Sequence, residues 1–332
     1  MADLKTQYMG LNLPNPLVVA SSGITGSIDG VRRCIDAGAG AVVLKSMFEE
    51  LIIAESKNIE RELIQSEHPE AYEYLRAELG MQLGPRPYLN FIEDVRRNVS
   101  VPVIASVNCI SSKWWVSYAQ NIEAAGAEGL ELNISHFPQT RSEDSLDIEK
   151  RYVDIVHEVT AKVSIPVAVK IGFYFTSIWK IVEDIVTAGA KALVLFNRYH
   201  SIDVDIEHKT LKSSMTLSSP SEMLIPLRWT GFLAGRLTCD ITATTGVYDS
   251  ESIIKLLMVG ATVVQLCSLL YEQGPESLSD LLEHLDSWLD ERGYNSVSDI
   301  RGLAVKNALD KDILLKRFQY VKALEETSKY EY

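Results

Sequence analysis

Ser21, Ser22, Lys45, Ser46, Asn108, Asn133, Ser135, His136, Lys170, Asn197, Thr245, Cys267 and Ser268 each stand at or just past the end of an aliphatic run. Two lysines and three asparagines collected at one rim suit a planar, amide-bearing ligand on which negative charge accumulates. A side-chain amide matches ring N–H and C=O groups, and a fixed ammonium stabilises an anion. Glycoside hydrolysis is poorly supported, because no Asp/Glu pair stands at these positions. No cluster of His and carboxylate has metal-ligand spacing either, and Glu131 lies inside its run rather than at its end. A lysine at the rim could instead form a Schiff base with a carbonyl substrate, as in a lyase or aldolase. The last two runs end in TTGV and CSLL, which offer backbone N–H groups and a hydroxyl to a phosphate.

A phrase repeated four times would gather these residues: a helix-like stretch, a Gly-Ala step, then an apolar strand that stops at a polar residue. The copies are DAGAGAVVLKS (36–46), AAGAEGLELNIS (124–135), TAGAKALVLFN (187–197) and MVGATVVQLCS (258–268). LVVASSG (17–23), VPVIASVN (101–108), PVAVKIG (166–172) and CDITATTG (239–246) complete a set of eight strands. Their interiors are aliphatic on both faces, as buried parallel strands must be. Chemistry confined to the C-terminal ends of eight such strands predicts an α/β fold, the (β/α)8 TIM barrel, with its active site on that face. Pro102 and Pro166 open their strands, where a missing N–H does least harm. SESIIKLLMVG and SIWKIVEDIVTAG have helical spacing of apolar residues. LKTQYMGLNLPNP predicts a hairpin closing the barrel's other end. The connections at roughly 47–88, after the second strand, and 198–236, after the sixth, exceed plain barrel loops and fall on the catalytic side. The tail from about 303 to 332 reads as an added helix for packing or dimerisation, and residues 1–332 are expected to form a single domain.

Composition narrows the partners. A net charge of −13, from 32 basic and 45 acidic residues, opposes binding to nucleic acid or an anionic membrane. Cys34, Cys109, Cys239 and Cys267 form no CxxC pair, so reduced thiols are expected, with neither zinc nor an iron–sulfur cluster. The N-terminus MADLKTQYMG has no signal-peptide core, and Leu256 to Tyr271 is broken by Gly260, Thr262 and Gln265. A cytoplasmic protein without a membrane span is the expectation.

In order, NPLVVASSGITG, VVLKS, ELNIS, VAVKIG, VLFN and ITATTGVYDSESIIKLLMVGATVVQLCS resemble the blocks of class 1 dihydroorotate dehydrogenases. The likeness runs from about Leu4 to about Ile300. Single blocks are moderately specific; six in the right order, with lysine at two fixed strand ends, are much more so. The resemblance implies a soluble FMN enzyme of pyrimidine biosynthesis that oxidises dihydroorotate to orotate. It also implies a homodimer and an electron acceptor or electron-transfer partner protein. By this match Lys170 stands at the flavin N1–C2=O edge, where a cation stabilises the anionic reduced ring. Lys45 and Ser46 touch flavin and substrate, and Asn133 and Asn197 hydrogen-bond the flavin or the pyrimidine. Ser21, Ser22 and Gly23 pass under the flavin, and Asn108 joins the cofactor set. Thr245, Gly246, Cys267 and Ser268 match the FMN phosphate loops, where the family usually has Gly-Gly and Gly-Thr; Thr245 and Cys267 narrow the room. Ordinary structural roles stay open beside these: a strand-end salt bridge for Lys170, loop capping for the asparagines.

Two stretches depart from the family pattern. Its catalytic cysteine or serine lies in a Ser-Cys-Pro-Asn-like stretch, which here is SHFPQT, with one residue inserted before Pro138. His136 takes the place of the base, and imidazole accepts protons near neutral pH; a loop histidine with no catalytic part is the equal alternative. Ser135 is a second candidate, Cys109 a remote third, and Gln139 replaces a substrate-binding asparagine. The substrate carboxylate loop matches MQLGPRPYLN, where Pro85 after Gly84 removes an N–H donor and Arg86 offers a bidentate contact instead. Lys45, Gly84, Arg86, Asn133, Gln139, Asn197 and Arg198 thus form the candidate substrate set. Arg86 and Arg198 serve equally well for a different anionic substrate. A related FMN oxidoreductase acting on another cyclic or enoate substrate, and a catalytically silent flavin-binding barrel, remain as alternatives. GITGSIDG lacks the spacing of a nicotinamide fingerprint.

Overall fold

The computed structural model describes residues 2–48, 86–108, 112–136, 138, 140–198, 201–214 and 216–306. Strands β1 (Thr6–Tyr8) and β2 (Leu11–Leu13) form the N-terminal hairpin. Met9 and Gly10 turn it with φ of 53° and 81°, the pair of left-handed residues that a two-residue hairpin needs. Then follow β3 (Leu17–Val19), helix α1 (Ile28–Asp36), β4 (Ala41–Val43), the short β5 (Met47–Phe48) and α2 (Arg86–Asn98). Next are β6 (Val103–Asn108), α3 (Ser112–Ala124), β7 (Gly129–Asn133), α4 (Ser145–Thr160), β8 (Val167–Ile171) and α5 (Ile178–Thr187). The rest comprises β9 (Ala192–Leu195), β10 (Ser201–Asp205), β11 (Thr210–Ser214), α6 (Leu224–Leu233), β12 (Asp240–Thr244), α7 (Ser250–Met258), β13 (Val263–Leu266), α8 (Ser268–Gln273) and α9 (Ser277–Glu291).

Strands β3, β4, β6, β7, β8, β9, β12 and β13 pair in parallel, each with the next, and β13 returns to β3. The result is the closed (β/α)8 barrel that the strand spacing predicts. The repeated Gly-Ala step is the device that turns each helix into its strand. Gly38, Gly126, Gly189 and Gly260 have φ of 98°, 90°, 112° and 112°, a conformation that costs glycine nothing. Each following alanine donates its N–H to a carbonyl five residues back (Ala39 to Cys34 at 3.0 Å, Ala261 to Leu256 at 2.9 Å), which caps the helix end. Those alanines are buried, so the strand enters the barrel at once.

Side-chain alternation divides the core in two. Leu17, Val42, Val103, Leu132, Val169 and Leu193 face outward and pack under the helices. Val18, Val43, Ile104, Ala168, Val194 and Val263 face inward, and Tyr8, Met9 and Leu13 of the hairpin plug the barrel beneath them. The expectation of strands aliphatic on both faces holds only for this lower part. Nearer the C-terminal ends the buried residues include the polar Ser106, Glu131, Lys170, Thr244 and Gln265.

The connection expected at 198–236 is not one loop. It contains the antiparallel β10–β11 ribbon, with Ile202, Val204 and Leu211 exposed, and then α6, the crossover helix of its own βα unit. Most of the 47–88 connection, with Gly84, lies outside the described residues. So do Cys109, Gln139 and the tail beyond Lys306, of which only Leu303–Lys306 is described, as a short helix.

Candidate active site

A cavity of about 340 Å³ opens at the C-terminal end of the barrel, a volume within the range of small-molecule and cofactor sites. Its floor comes from neighbouring strands. Asn133 on β7 is the register partner of Lys170 on β8, and Asn197 follows β9, its backbone N–H donating to Ile171 O at 2.7 Å. Asn197 Nδ2 donates to Asn133 Oδ1 at 2.9 Å. Three adjacent strands therefore present an amide, an ammonium and an amide to one space. Lys170 is 9 % exposed, so its charge is poorly screened by water.

On the opposite wall a chain of hydroxyls runs inward: Ser21 Oγ to Ser46 Oγ at 2.9 Å, and Ser46 Oγ to Ser106 Oγ at 2.7 Å. Tyr88 fixes its inner end, donating to Ser106 O and accepting from Ser106 N–H. Lys45, exposed, and Ser22 also line the cavity. Cys267 lies within electrostatic reach of Lys170. Burial pushes its thiol up, while the Lys170 charge, the Ser22 hydroxyl and Arg198 oppose the shift.

The third wall is built from loops. Ser218 Oγ donates to Ser268 Oγ at 2.8 Å and accepts from Gly246 N–H at 3.3 Å. Gly246 has φ 73°, and a Cβ there would stand 2.4 Å from Met223 N and 2.8 Å from Ser219 O, so the position admits only glycine. Its neighbour Thr245 carries φ 83°, unusual for a β-branched residue, and its hydroxyl donates to Phe196 O at 3.2 Å. Arg198 donates to Glu222 Oε1 (3.2 Å) and Thr216 Oγ1 (3.2 Å). Burial works against the Glu222 carboxylate, but hydrogen bonds from Ser219 and Arg198 outweigh it and hold that carboxyl below its ordinary range.

Of the residues singled out in the sequence, the cavity brings together Ser21, Ser22, Lys45, Ser46, Asn133, Lys170, Asn197, Arg198, Thr245, Gly246, Cys267 and Ser268. Asn108, half-buried at the end of β6, Arg86, exposed at the start of α2, and Ser135 are not among its lining. Neither is His136. Its Nε2 lies 2.8 Å from Glu143 Oε2, and Arg151 approaches Nδ1 at 3.3 Å, so the ring is engaged by its own loop and by α4. Its backbone N–H donates to Tyr152 Oη, again on α4. Alternation explains the direction: Ile134 and the Asn133 side chain already point to opposite sides, and His136 follows Ile134 toward the helices.

Sequence reasoning missed Thr216, Leu217, Ser218, Tyr271 and Gln265, all of which line the cavity. Ser219-Pro-Ser-Glu222 has the spacing of a capping box ahead of α6, a signal that could have drawn attention to Ser218. A larger hollow of about 620 Å³ lies at the other end of the barrel, beside Thr160, Lys191 and Asp240. Asp240 there is already spent on the protein, accepting from Met9 N–H and Thr262 Oγ1. Among the described residues no His, Cys, Asp or Glu group is placed to hold a metal ion, and no helix is long and apolar enough to cross a membrane.

The dihydroorotate dehydrogenase family model matches residues 3–289. The chain is 26 % identical over 312 residues to the catalytic subunit of dihydroorotate dehydrogenase B (NAD(+)) of Thermoplasma acidophilum, covering 92 % of this chain and 100 % of that one. It is 28 % identical over 312 residues to the protein of the same name from Pyrococcus furiosus, covering 91 % and 99 %. A putative dihydroorotate dehydrogenase A (fumarate) of Aeropyrum pernix is 29 % identical over 226 residues, covering 67 % and 73 %. With a family match over nearly the whole barrel and these strand-end residues in one cavity, the chain belongs to the dihydroorotate dehydrogenase family, as a divergent oxidoreductase acting on CH–CH groups.

Proposed function

We propose that this protein oxidises dihydroorotate to orotate with FMN held in the C-terminal cavity. The observation that carries the reading is the Asn133–Lys170–Asn197 floor, where three neighbouring strand ends bring a buried lysine and two mutually hydrogen-bonded amides to one cavity. The residues present fit the cofactor. Gly246, Ser218 and Ser268 line one stretch of the cavity and hydrogen-bond one another, and the Ser268 hydroxyl, which accepts in these contacts, keeps its proton to donate to a phosphate. The amides suit the edge of a flavin or pyrimidine ring. When bound, FMN supplies the acceptor for the hydride that leaves C6 of the substrate.

The chain's own residues do the rest. Lys170 keeps a fixed positive charge at the floor, where negative charge gathers as the substrate is oxidised. Asn133 and Asn197 fix the rings in plane, and Lys45 and Arg198 offer positive charge to the substrate carboxylate. The proton at C5 goes to Ser135, which follows Asn133 by two residues beside the cavity rather than in its lining, and which unlike His136 is not engaged by Glu143 and Arg151. Ser46 and Ser21, tied by their hydroxyl chain to Ser106, keep that wall rigid. The names of the B-type relatives, a catalytic subunit and NAD(+), support an electron-transfer partner protein for this chain as well.

An anaerobic visible spectrum of the purified protein, recorded while dihydroorotate is added, tests the reading. Bleaching of a flavin band is the expected result. A yellow protein that does not bleach would leave the flavin site and overturn the substrate. The engagement of His136 with Glu143 and Arg151 favours, as a second reading, an FMN oxidoreductase acting on another cyclic or enoate substrate, which the same titration with alternative substrates would reveal.

A further inference from the structure

Below the cavity floor lies a buried acid that the proposed reaction does not use. Glu131 on β7 is 1 % exposed and points into the barrel. Its Oε2 accepts from Gln265 Nε2 at 2.7 Å. Gln265 stands on β13, four strands away in a ring of eight, so the bond crosses the barrel from wall to wall. Two acceptor oxygens are left bare: Glu131 Oε1 and Gln265 Oε1 are buried with no hydrogen-bond partner among the described residues. Lys170 Nζ lies 3.9 Å from Glu131 Oε1, and among the described residues Glu131 is the one acid in ion-pair reach of that ammonium.

A buried carboxylate with a bare oxygen is costly unless a positive charge compensates it. Here the compensating charge is Lys170, which also forms the floor of the ligand cavity. The distance exceeds a hydrogen bond, so the ammonium is held between the acid below and the space above rather than consumed by the acid. Gln265 anchors the carboxylate from the far wall and prevents it from rising to close that gap.

We infer that Glu131, clamped by Gln265, is a positioning residue for Lys170: it holds the ammonium at the cavity floor and, as its counter-charge, sets how strongly the site favours reduced over oxidised FMN. This rests on the flavin part of the proposed function. A cation paired from below is a weaker partner for negative charge above it, because the two anions compete for the same ammonium. Glu131 therefore keeps the bound cofactor easier to reoxidise than Lys170 alone would.

The test is the midpoint potential of bound FMN, measured by anaerobic titration against a dye of known potential, with FMN affinity measured alongside. Glu131→Gln keeps the shape and a bond to Gln265 but removes the charge. It is expected to favour the reduced cofactor at least tenfold, about 30 mV more positive for a two-electron couple. In a Lys170→Met background the same substitution is expected to move the potential by less than half as much, since the effect passes through the lysine. Should Glu131→Gln fail to fold, Glu131→Asp, still anionic but one methylene shorter, is expected to shift the potential in the same direction by less. FMN bound by every variant at an unchanged potential would overturn the inference and leave the proposed function standing. A full shift that persists in the Lys170→Met background would overturn the positioning role. A wild-type chain that does not take up FMN would overturn both.

Discussion

The two ends of the barrel are built from similar polar side chains but leave them in different states. At the N-terminal end Asp240 accepts from Met9 N–H at 2.7 Å and from Thr262 Oγ1 at 3.0 Å. Beside it Thr242 Oγ1 donates to Tyr8 Oη at 2.8 Å, under the hairpin that plugs the barrel. At the C-terminal end Glu131 and Gln265 each keep a buried oxygen without a partner among the described residues, and Lys170 stands 3.9 Å from Glu131. The lower end leaves a buried group of its own bare, Arg301 Nε, but that is a donor on a cation within electrostatic reach of Asp240, whereas the bare atoms of the upper end are acceptors whose compensating charge, Lys170, faces the cavity. The lower end therefore reads as architecture and the upper end as a binding site, although residue types alone would not separate them.

The largest expected effect tests the upper end. Lys170→Ala should slow flavin reduction by dihydroorotate about 10²–10³-fold, about 3–4 kcal/mol in the barrier, while its denaturant midpoint moves far less. Equal losses in both would make Lys170 a structural cation and erase the contrast. The lower end gives the opposite pattern. Asp240→Ala leaves the Met9 N–H and the Thr262 hydroxyl without their acceptor, and should cost about 2–3 kcal/mol of stability in urea unfolding. FMN affinity of the folded fraction should be unchanged, and any drop would mean that the two ends are coupled.

A smaller effect follows from the thiols. Burial, helped by the Asp240 charge, pushes Cys239 up to about 12, and burial pushes Cys34 up to about 11. Both exceed the ordinary thiol value, so between that value and the folded one the native state holds protons that the unfolded chain has lost. Stability from these groups is complete below about pH 8.5 and falls as pH rises toward 11–12. On the order of 1 kcal/mol per thiol should be gone by pH 10, and Cys239→Ala should lose its share of that slope. A flat stability profile from pH 8 to 10.5 would contradict the burial of these groups.

The smallest effect is expected at His136. Its ring is held by Glu143 and Arg151, so His136→Ala should lower turnover less than about fivefold, against 10²-fold or more for Ser135→Ala, measured as anaerobic flavin reduction. The reverse ranking would bring the histidine back into the site and require the loop after β7 to rearrange when substrate binds.

Much of the site was legible because strand ends are local features. An aliphatic run that halts at VVLKS, ELN, VAVKIG or VLFN marks a strand and its last residue, and the barrel carries each last residue to the same rim. What escaped was chemistry inside the runs. Glu131 and Gln265 look like interruptions in apolar strands, and only closure shows that they meet. Ser218 escaped because its loop follows a ribbon whose position relative to the barrel no local pattern encodes.

The sequence by itself determined the number of barrel strands, their order and the face on which chemistry would collect. Its Gly-Ala steps and period-two burial are dictated by backbone sterics within a few residues. Only the tertiary structure decided which side of each strand became the interior. Ring closure places β7 opposite β13 and joins Glu131 to Gln265 beneath Lys170, and packing against α4 draws His136 away from the cavity. Both results depend on contacts between residues far apart in the chain, whose energies no short stretch of sequence contains.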